Sequence, residues 1–290
     1  MKQYSFKSNN PKLYLIATPI GNLQEFSLRA IAILQNEVEK IYCEDTRNTI
    51  KLLKHFNIKK KLISLNKNNE KKRYQELLHS IDQSESIALV SDAGYPLISD
   101  PGYYFVNHLM QELNYDIVPV NGSSAFLSAL ISSGLDPRHF LFYGFLSHQK
   151  NKKQGELESI QRVPYPIIFY ESPHRLIETL QLLLKIFNDR QICVAKEMTK
   201  IHEQFYRGKI SDIIEEIMKD DNYQFGEYTI VIAGNAKNLA EVSLSDEQLI
   251  AEINVLIKEQ NYKAKQAIDI VANKYHISKN ILYNKYHKKD

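Results

Sequence analysis

The feature that most constrains this chain is a regular alternation of short apolar runs with longer stretches of helical spacing. Runs rich in Ile, Val, Leu and Tyr occur at residues 13–17, 40–43, 62–65, 87–91 and 117–120. Between them, at 28–36, 46–56, 70–83 and 102–113, apolar residues return every three or four positions. Strands that are apolar throughout must be covered on both faces, and intervening helices supply that cover. The pattern therefore predicts α/β layers with mainly parallel strands. A second series follows, with strands expected at 140–143, 167–170, 192–196 and 228–233, and helices at 125–133, 152–162, 175–187 and 210–219. A chain of 290 residues has room for two such domains. Their expected extents are 12–120 and 121–236, joined near residues 119–124.

The alternation stops after Gly234. Residues 235–243 read as a linker, Ser245 is placed to cap a helix running to about residue 259, and 262–275, a turn at 276–278 and 279–286 resemble a helix-turn-helix. Ala264, Ala267, Ile268, Val271, Ala272, Ile277, Ile281 and Leu282 are available for its small core. This third module, 244–290, serves equally well as a nucleic-acid grip or as helices that pack on the body. Charge favours an anionic partner. The whole chain carries +3, whereas residues 261–290 alone carry +5. Two internal clusters add to this: Lys59, Lys60, Lys61, Lys67, Lys71, Lys72 and Arg73, and then His148, Lys150, Lys152 and Lys153. Either cluster alone is equally well read as a solvated surface.

Composition closes other routes. At 43% hydrophobic and 24% charged the chain is neither fibrous nor wholly disordered. No run approaches the about 18 apolar residues of a membrane span, and the first ten residues lack an apolar signal segment, so a cytoplasmic protein is expected. Cys43 and Cys193 both sit in apolar runs, which predicts buried thiols in a reducing compartment and no structural zinc; no metal is expected.

Open α/β sheets bind ligands beyond the carboxyl ends of their strands, so the loops there matter most. The first reads Ala17-Thr18-Pro19-Ile20-Gly21-Asn22-Leu23, with Ser27 opening a helix and no dinucleotide or P-loop glycine pattern. The second, Cys43-Glu44-Asp45-Thr46-Arg47, gathers two acids and a guanidinium, with Asp45 or Thr46 placed to cap the next helix. The fourth runs from Ser91 through Asp92-Ala93-Gly94-Tyr95-Pro96-Leu97-Ile98-Ser99 to Asp100-Pro101-Gly102. Ala93 and Gly94 remove bulk where a ligand would meet backbone, while Asp100 and Pro101 read as a helix cap and first helical residue. The fifth, Asn121-Gly122-Ser123-Ser124-Ala125, puts hydroxyls and amides at a helix start. In the second series, Tyr170-Glu171-Ser172-Pro173-His174-Arg175 and Lys196-Glu197-Met198-Thr199-Lys200 concentrate titratable groups directly after strands. There an ion pair between Glu171 and Arg175 and a helix start at Ser172 or Pro173 compete with proton handling.

Taken in order, Leu15 to Leu23, Glu44 to Arg47, Ser91 to Gly102, Tyr170 to Arg175 and Lys196 to Lys200 closely resemble the ribosomal RNA small subunit methyltransferase I family, within the tetrapyrrole methylase superfamily. The resemblance spans residues 13–234, and the basic end resembles that family's C-terminal module. It implies two αβα domains with a cleft between them, S-adenosylmethionine as methyl donor, and the ribose 2′-hydroxyl of a cytidine in 16S rRNA as acceptor, in a protein that is commonly a homodimer. It carries cofactor contacts onto Pro19, Ala93, Gly94, Tyr95, Ile98, Ser124 and Ala125, with Asp92 beside them. Tyr95 stands where a small or polar residue is usual, and Asn121-Gly122-Ser123 replaces a more usual Pro-Gly-Pro. For proton acceptance from a ribose hydroxyl the candidates are Glu171, His174 and Glu197. Arg47, Arg175 and Lys196 are candidates to hold phosphate or the 2′-oxygen.

Overall fold

In the first half of the protein, a computed structural model shows strands β1 Lys12–Ile16, β2 Lys40–Cys43, β3 Lys61–Ser64, β4 Ile87–Val90 and β5 Asp116–Val120 interleaved with helices α1 Leu28–Asn36, α2 Thr46–His55, α3 Glu70–Leu78 and α4 Tyr103–Glu112. The structure describes residues 3–5, 7–79, 85–235, 246–260, 262–275 and 278–287. The first sheet has the order β3-β2-β4-β1-β5, with every neighbouring pair parallel. In β4 all four residues are buried. Ala88 and Val90 pack with Ala30, Ile33, Leu34 and Leu53 of α1 and α2. Ile87 and Leu89 pack on the other face with Tyr74, Leu77, Phe105 and Leu109 of α3 and α4. This two-sided burial is why the strand reads as an unbroken apolar run.

The chain then crosses into a second layer system: α5 Ala125–Ser132, β6 Leu141–Phe145, α6 Lys150–Ile160, β7 Ile167–Glu171, α7 Leu176–Phe187, β8 Gln191–Lys196, β9 Gln204–Lys209, α8 Ile210–Met218 and β10 Tyr228–Ile232. Here the sheet order is β6-β7-β10-β8-β9, and only β6 and β7 run parallel. The expectation of mainly parallel strands therefore holds for the first sheet and fails for the second. β8 and β9 are joined by seven residues, 197–203, too few for a crossover, so they pair antiparallel. β9 was absent from the sequence expectation because it is a half-exposed edge strand whose apolar residues are outnumbered by Gln204, Arg207, Gly208 and Lys209. Ala129 and Leu130 of α5 pack against Ile168, Cys193, Ala195 and Val231 of this sheet.

Both sheets lie in one compact unit, Met1–Glu158 with Pro166–Ala233; Ser159–Tyr165 and Gly234–Asp290 form a second. The second unit carries α9 Asp246–Gln260, α10 Ala264–Lys274 and α11 Lys279–His287 around Leu249, Ile253, Ala267, Ile268, Val271, Ala272 and Leu282. Ile281, expected in that core, is exposed instead. Ser245, most of the 235–243 linker, Ile277, and the end of the helix expected to reach residue 83 lie outside the described residues. Within this unit Lys285 pairs with Asp246 at 2.6 Å and Lys279 with Asp269. No helix among the described residues is long and apolar enough to cross a membrane. Cys43 and Cys193 are buried and free.

Candidate active site

β1 and β4 are neighbours in the sheet, so the loops that leave their carboxyl ends meet. Thr18 and Gly94 exchange both backbone hydrogen bonds, at 2.9 and 3.0 Å. The Ser91 hydroxyl donates to the Gly94 carbonyl at 2.9 Å. Gly94 sits at φ +77°, a left-handed conformation that costs a side-chain-bearing residue energy, so the turn itself selects glycine. A Cβ there would still find room, 3.6 Å from Ile20 Cγ2.

The loop remains left-handed at Leu97 and Ser99, and α4 begins only at Tyr103, with Gly102 at φ +122° as its cap. Asp100 and Pro101 are therefore not the cap and first helical residue that their sequence suggests. Asp100 turns instead onto a cleft of about 380 Å³. There burial first, then the charges of Glu44 and Asp92, push its carboxyl up to about 6 against the opposing hydrogen bond from Ser91.

The cleft is walled on one side by Ile20, Asp92, Ala93, Gly94, Tyr95 and Ile98, and at the start of α5 by Ser124, Ala125 and Phe126. Phe145, Tyr170, Glu171, Ser172 and Pro173 come from the second sheet, joined by the β10 entry at Gly226 to Thr229. Asp92, Ala93, Gly94, Tyr95, Ile98, Ser124, Ala125 and Glu171, picked out in the sequence, are thus brought together. Pro19 is not on the wall; its neighbour Ile20 is. Asp100, Phe126, Phe145 and Tyr170 escaped the sequence reading. For the two aromatic strand residues, Phe145 and Tyr170, the available signal was their position at strand ends.

The two departures from the family pattern touch each other. The Tyr95 hydroxyl donates to Asn121 Oδ1 and accepts from the Gly122 backbone N–H, each at 3.2 Å, tying the β4 loop to the β5 loop. Gly122 itself has little room to change: a Cβ would stand 3.0 Å from both the Cβ and the carbonyl oxygen of Ala17.

Glu171 is almost wholly buried and its oxygens are committed. Oε1 accepts from Ser172 N–H at 2.8 Å and lies 3.4 Å from Arg175 Nε, while Oε2 accepts from the Thr179 hydroxyl at 2.6 Å. Behind Thr179 stands Lys153, 1% exposed, donating to its Oγ1 at 3.2 Å. Lys153 accordingly leaves the phosphate-facing cluster in which its sequence neighbours placed it. Arg175 also donates to the Leu146 and Ser147 carbonyls and lies 3.0 Å from His148 Nδ1, so its guanidinium locks the β6–α6 loop. His174 is exposed on the 3-10 turn Pro173–Arg175 that continues the cleft wall.

Lys196 and Glu197 lie off the wall. The Lys196 ammonium is buried and spent on Asp220 at 2.6 Å and the Asn222 carbonyl at 3.0 Å, so it is an interior ion pair rather than a phosphate contact. Glu197 Oε1 accepts from Lys200 at 2.8 Å and from the Glu227 N–H at 3.0 Å. Arg47 belongs to a separate shallow depression lined by Glu44, Asp45, Thr46, Ser64, Asn66 and Asp92. It forks onto Asp45, holding that carboxyl down at about 2. Asp92 borders both hollows, accepting from Asp45 N–H and from Asn48 Nδ2.

A parallel αβα half facing a mostly antiparallel one across such a cleft defines the class of the protein, and the profile of the family Tetrapyrrole (Corrin/Porphyrin) Methylases matches residues 12–214. Among solved structures, uroporphyrin-III-C-methyltransferase from Thermus thermophilus superposes with a TM-score of 0.53 at 14% identity, covering 81% of this chain and all of that one. Diphthine synthase gives 0.58 at 11% identity, covering 77% and 89%. Sequence relatives are far nearer. Ribosomal RNA small subunit methyltransferase I of Bacillus subtilis is 40% identical over 99% of both chains, and that of Halalkalibacterium halodurans is 38% identical over 99% of this chain and 98% of its own. The Thermotoga maritima protein of the same name is 44% identical over 77% of this chain and 98% of its own. The chain belongs to the ribosomal RNA small subunit methyltransferase I family.

Proposed function

We propose that this protein uses S-adenosylmethionine to methylate the ribose 2′-hydroxyl of a cytidine in 16S rRNA, acting on the small ribosomal subunit in the cytoplasm as a homodimer. The observation that carries the reading is the cleft itself, in a chain that matches rRNA methyltransferases over nearly its whole length. Its size lies in the range of small-molecule sites. Its chemistry suits the donor: apolar faces at Ile20, Ile98, Ala125 and Phe126 for an aromatic base, and carboxylates at Asp92, Asp100 and Glu227 for ribose hydroxyls and positive charge. Exposed main chain at Ala93 can bond to polar edges.

Bound there, S-adenosylmethionine supplies an electrophilic methyl carbon on a sulfonium that departs as a neutral thioether. The protein's own residues have the task of orientation and of accepting one proton as the ribose O–C bond forms and the S–C bond breaks. Glu171 lines the cleft, but its lone pairs are already shared among Ser172, Thr179 and Arg175. Glu197 is held by Lys200 and the Glu227 N–H. His174, exposed on the turn after Glu171, is the acceptor that the arrangement favours. Glu171 then serves to fix Arg175 and, through it, the loop at 146–148. The test is labelled S-adenosylmethionine with purified 30S subunits, followed by mapping of the modified nucleotide. Label on a cytidine ribose is expected; label on a tetrapyrrole or on protein, with none on RNA, refutes the reading.

A further inference from the structure

The aromatic ring of Phe145 is 55% exposed although it lines the cleft. Burial does not explain its position, but strand geometry does. In a regular strand, residues three apart point to opposite faces, so Phe142 and Phe145 should diverge. They do not. The pairing of β6 with β7 slips between Phe142 and Gly144, a β-bulge in which Gly144 takes φ +81°. The extra residue returns Phe145 to the side of Phe142, and both rings meet Tyr170, at centroid distances of 5.5 and 5.2 Å. Bulges re-aim side chains in this way beside active sites. Gly144 is held to its role from a second direction, since a Cβ would stand 3.1 Å from Ser99 Oγ of the β4 loop.

Directly after Phe145 the chain turns positive. Lys150 and Lys152 are exposed at the start of α6, whose first turn contains no acid. Positive side chains at the positive end of a helix oppose the dipole, so local helix stability does not account for them. A half-open aromatic face followed by exposed cations is the arrangement that holds an unstacked nucleotide, the base on the ring and the neighbouring phosphates on the cations.

We infer that Phe145 is the stacking platform for a base of the acceptor RNA, and that Lys150 and Lys152 hold the adjoining phosphates. The inference rests on the RNA-methyltransferase reading above and adds to it the place where the acceptor strand docks. The bulge then has a purpose: it delivers the ring to the wall across the cleft from the loop at 92–98.

The experiment measures affinity of the full-length protein for 30S subunits without cofactor, and separately for S-adenosylhomocysteine. Phe145→Ala should weaken RNA binding roughly 10-fold, and Phe145→Leu nearly as much, while Phe145→Tyr restores it because stacking needs the ring. Affinity for S-adenosylhomocysteine should stay unchanged in all three. Lys150→Gln with Lys152→Gln, which together remove two phosphate contacts, should lower the magnitude of the slope of log affinity against log salt by about 1.4 to 1.8. RNA affinity of Phe145→Ala equal to the unmodified protein's, in a preparation that methylates RNA, overturns the inference. So does a loss that falls on S-adenosylhomocysteine instead, which would give the ring to the methyl-donor pocket. A wild-type protein that transfers no methyl group to RNA refutes the underlying function, a result distinct from either.

Discussion

Asp100 gives the sharpest quantitative prediction, because its environment sets both a sign and a size. Its carboxyl titrates at about 6 in the folded chain, above its ordinary 3.8, chiefly through burial and secondarily through Glu44 and Asp92. A raised carboxyl means that the folded chain holds its proton more tightly than the unfolded chain does. Stability therefore falls as pH rises from near 4 to 6 and is level above that. At 1.36 kcal/mol per pH unit the unscreened cost is about 3 kcal/mol, and partial exposure reduces it to about 1–2 kcal/mol. Asp100→Asn keeps the shape and the hydrogen-bonding capacity but removes the charge. At pH 8 it should be the more stable protein by that amount, a rise of roughly 2–8 °C in melting temperature for a unit of this size. Near pH 4 the advantage should vanish. The assay is thermal unfolding of both proteins in matched buffers from pH 4.5 to 8, read as the difference between them. A variant no more stable at pH 8, or an advantage equally large at both ends, would refute the burial argument.

Gly94→Ala should reduce affinity for S-adenosylhomocysteine in calorimetry through its φ of +77° rather than through lack of space, and Gly94→Val should abolish it. His174→Gln should lower kcat by about 100-fold while leaving that affinity intact; a KM effect without a kcat effect would remove the imidazole from proton transfer. Tyr95→Phe and Asn121→Ala should each weaken cofactor binding, and the double variant should lose little more than Tyr95→Phe alone, since the bond to Asn121 is already gone in it; additive losses would show that the pair is uncoupled. Deleting residues 246–290 should weaken RNA binding and flatten its salt dependence while S-adenosylhomocysteine still binds; loss of cofactor binding would refute that division.

Much of the first half was legible because its strands are buried on both faces: β2 falls where the apolar run predicts it, and α1 begins at Ser27, whose hydroxyl accepts from the Ala30 N–H. Local signals failed where a distant residue decides. Asp100 and Pro101 have the composition of a helix start, yet α4 starts later, behind Gly102, whose φ of +122° suits glycine and where a Cβ would stand only 3.0 and 2.9 Å from Leu89 and Leu97. Lys153 sits among exposed cations in the sequence but faces inward, since each residue of a helix turns about 100° from the last and Lys152 and Lys153 therefore point different ways. β9 is invisible to a search for apolar runs because it is a half-exposed edge strand, which has little reason to be apolar. For the site, residue type marked the cleft loops correctly, whereas partner choice decided what each group could do. Nothing in the sequence shows that Glu171 spends its oxygens on Thr179 and Ser172.

The two halves of the body divide the work according to their sheets. A parallel sheet ends all its strands on one side, so the loops after β1, β4 and β5 converge on one edge, where the Thr18–Gly94 backbone bridge and the Tyr95–Asn121 side-chain contact tie them together. The second sheet, mostly antiparallel, contributes only some strand ends to that edge, and what it presents is side chains: Phe145, Tyr170, Glu171 and the turn that carries His174. A donor common to many methylases suits the converging loops of the first sheet, and an acceptor that varies between them suits the replaceable side chains of the second. The Thermotoga maritima relative is matched over 98% of its length by 77% of this chain, so a family member can be shorter by about the size of the C-terminal unit. That arithmetic fits α9 to α11 as an addition to the body that carries both sheets and the cleft.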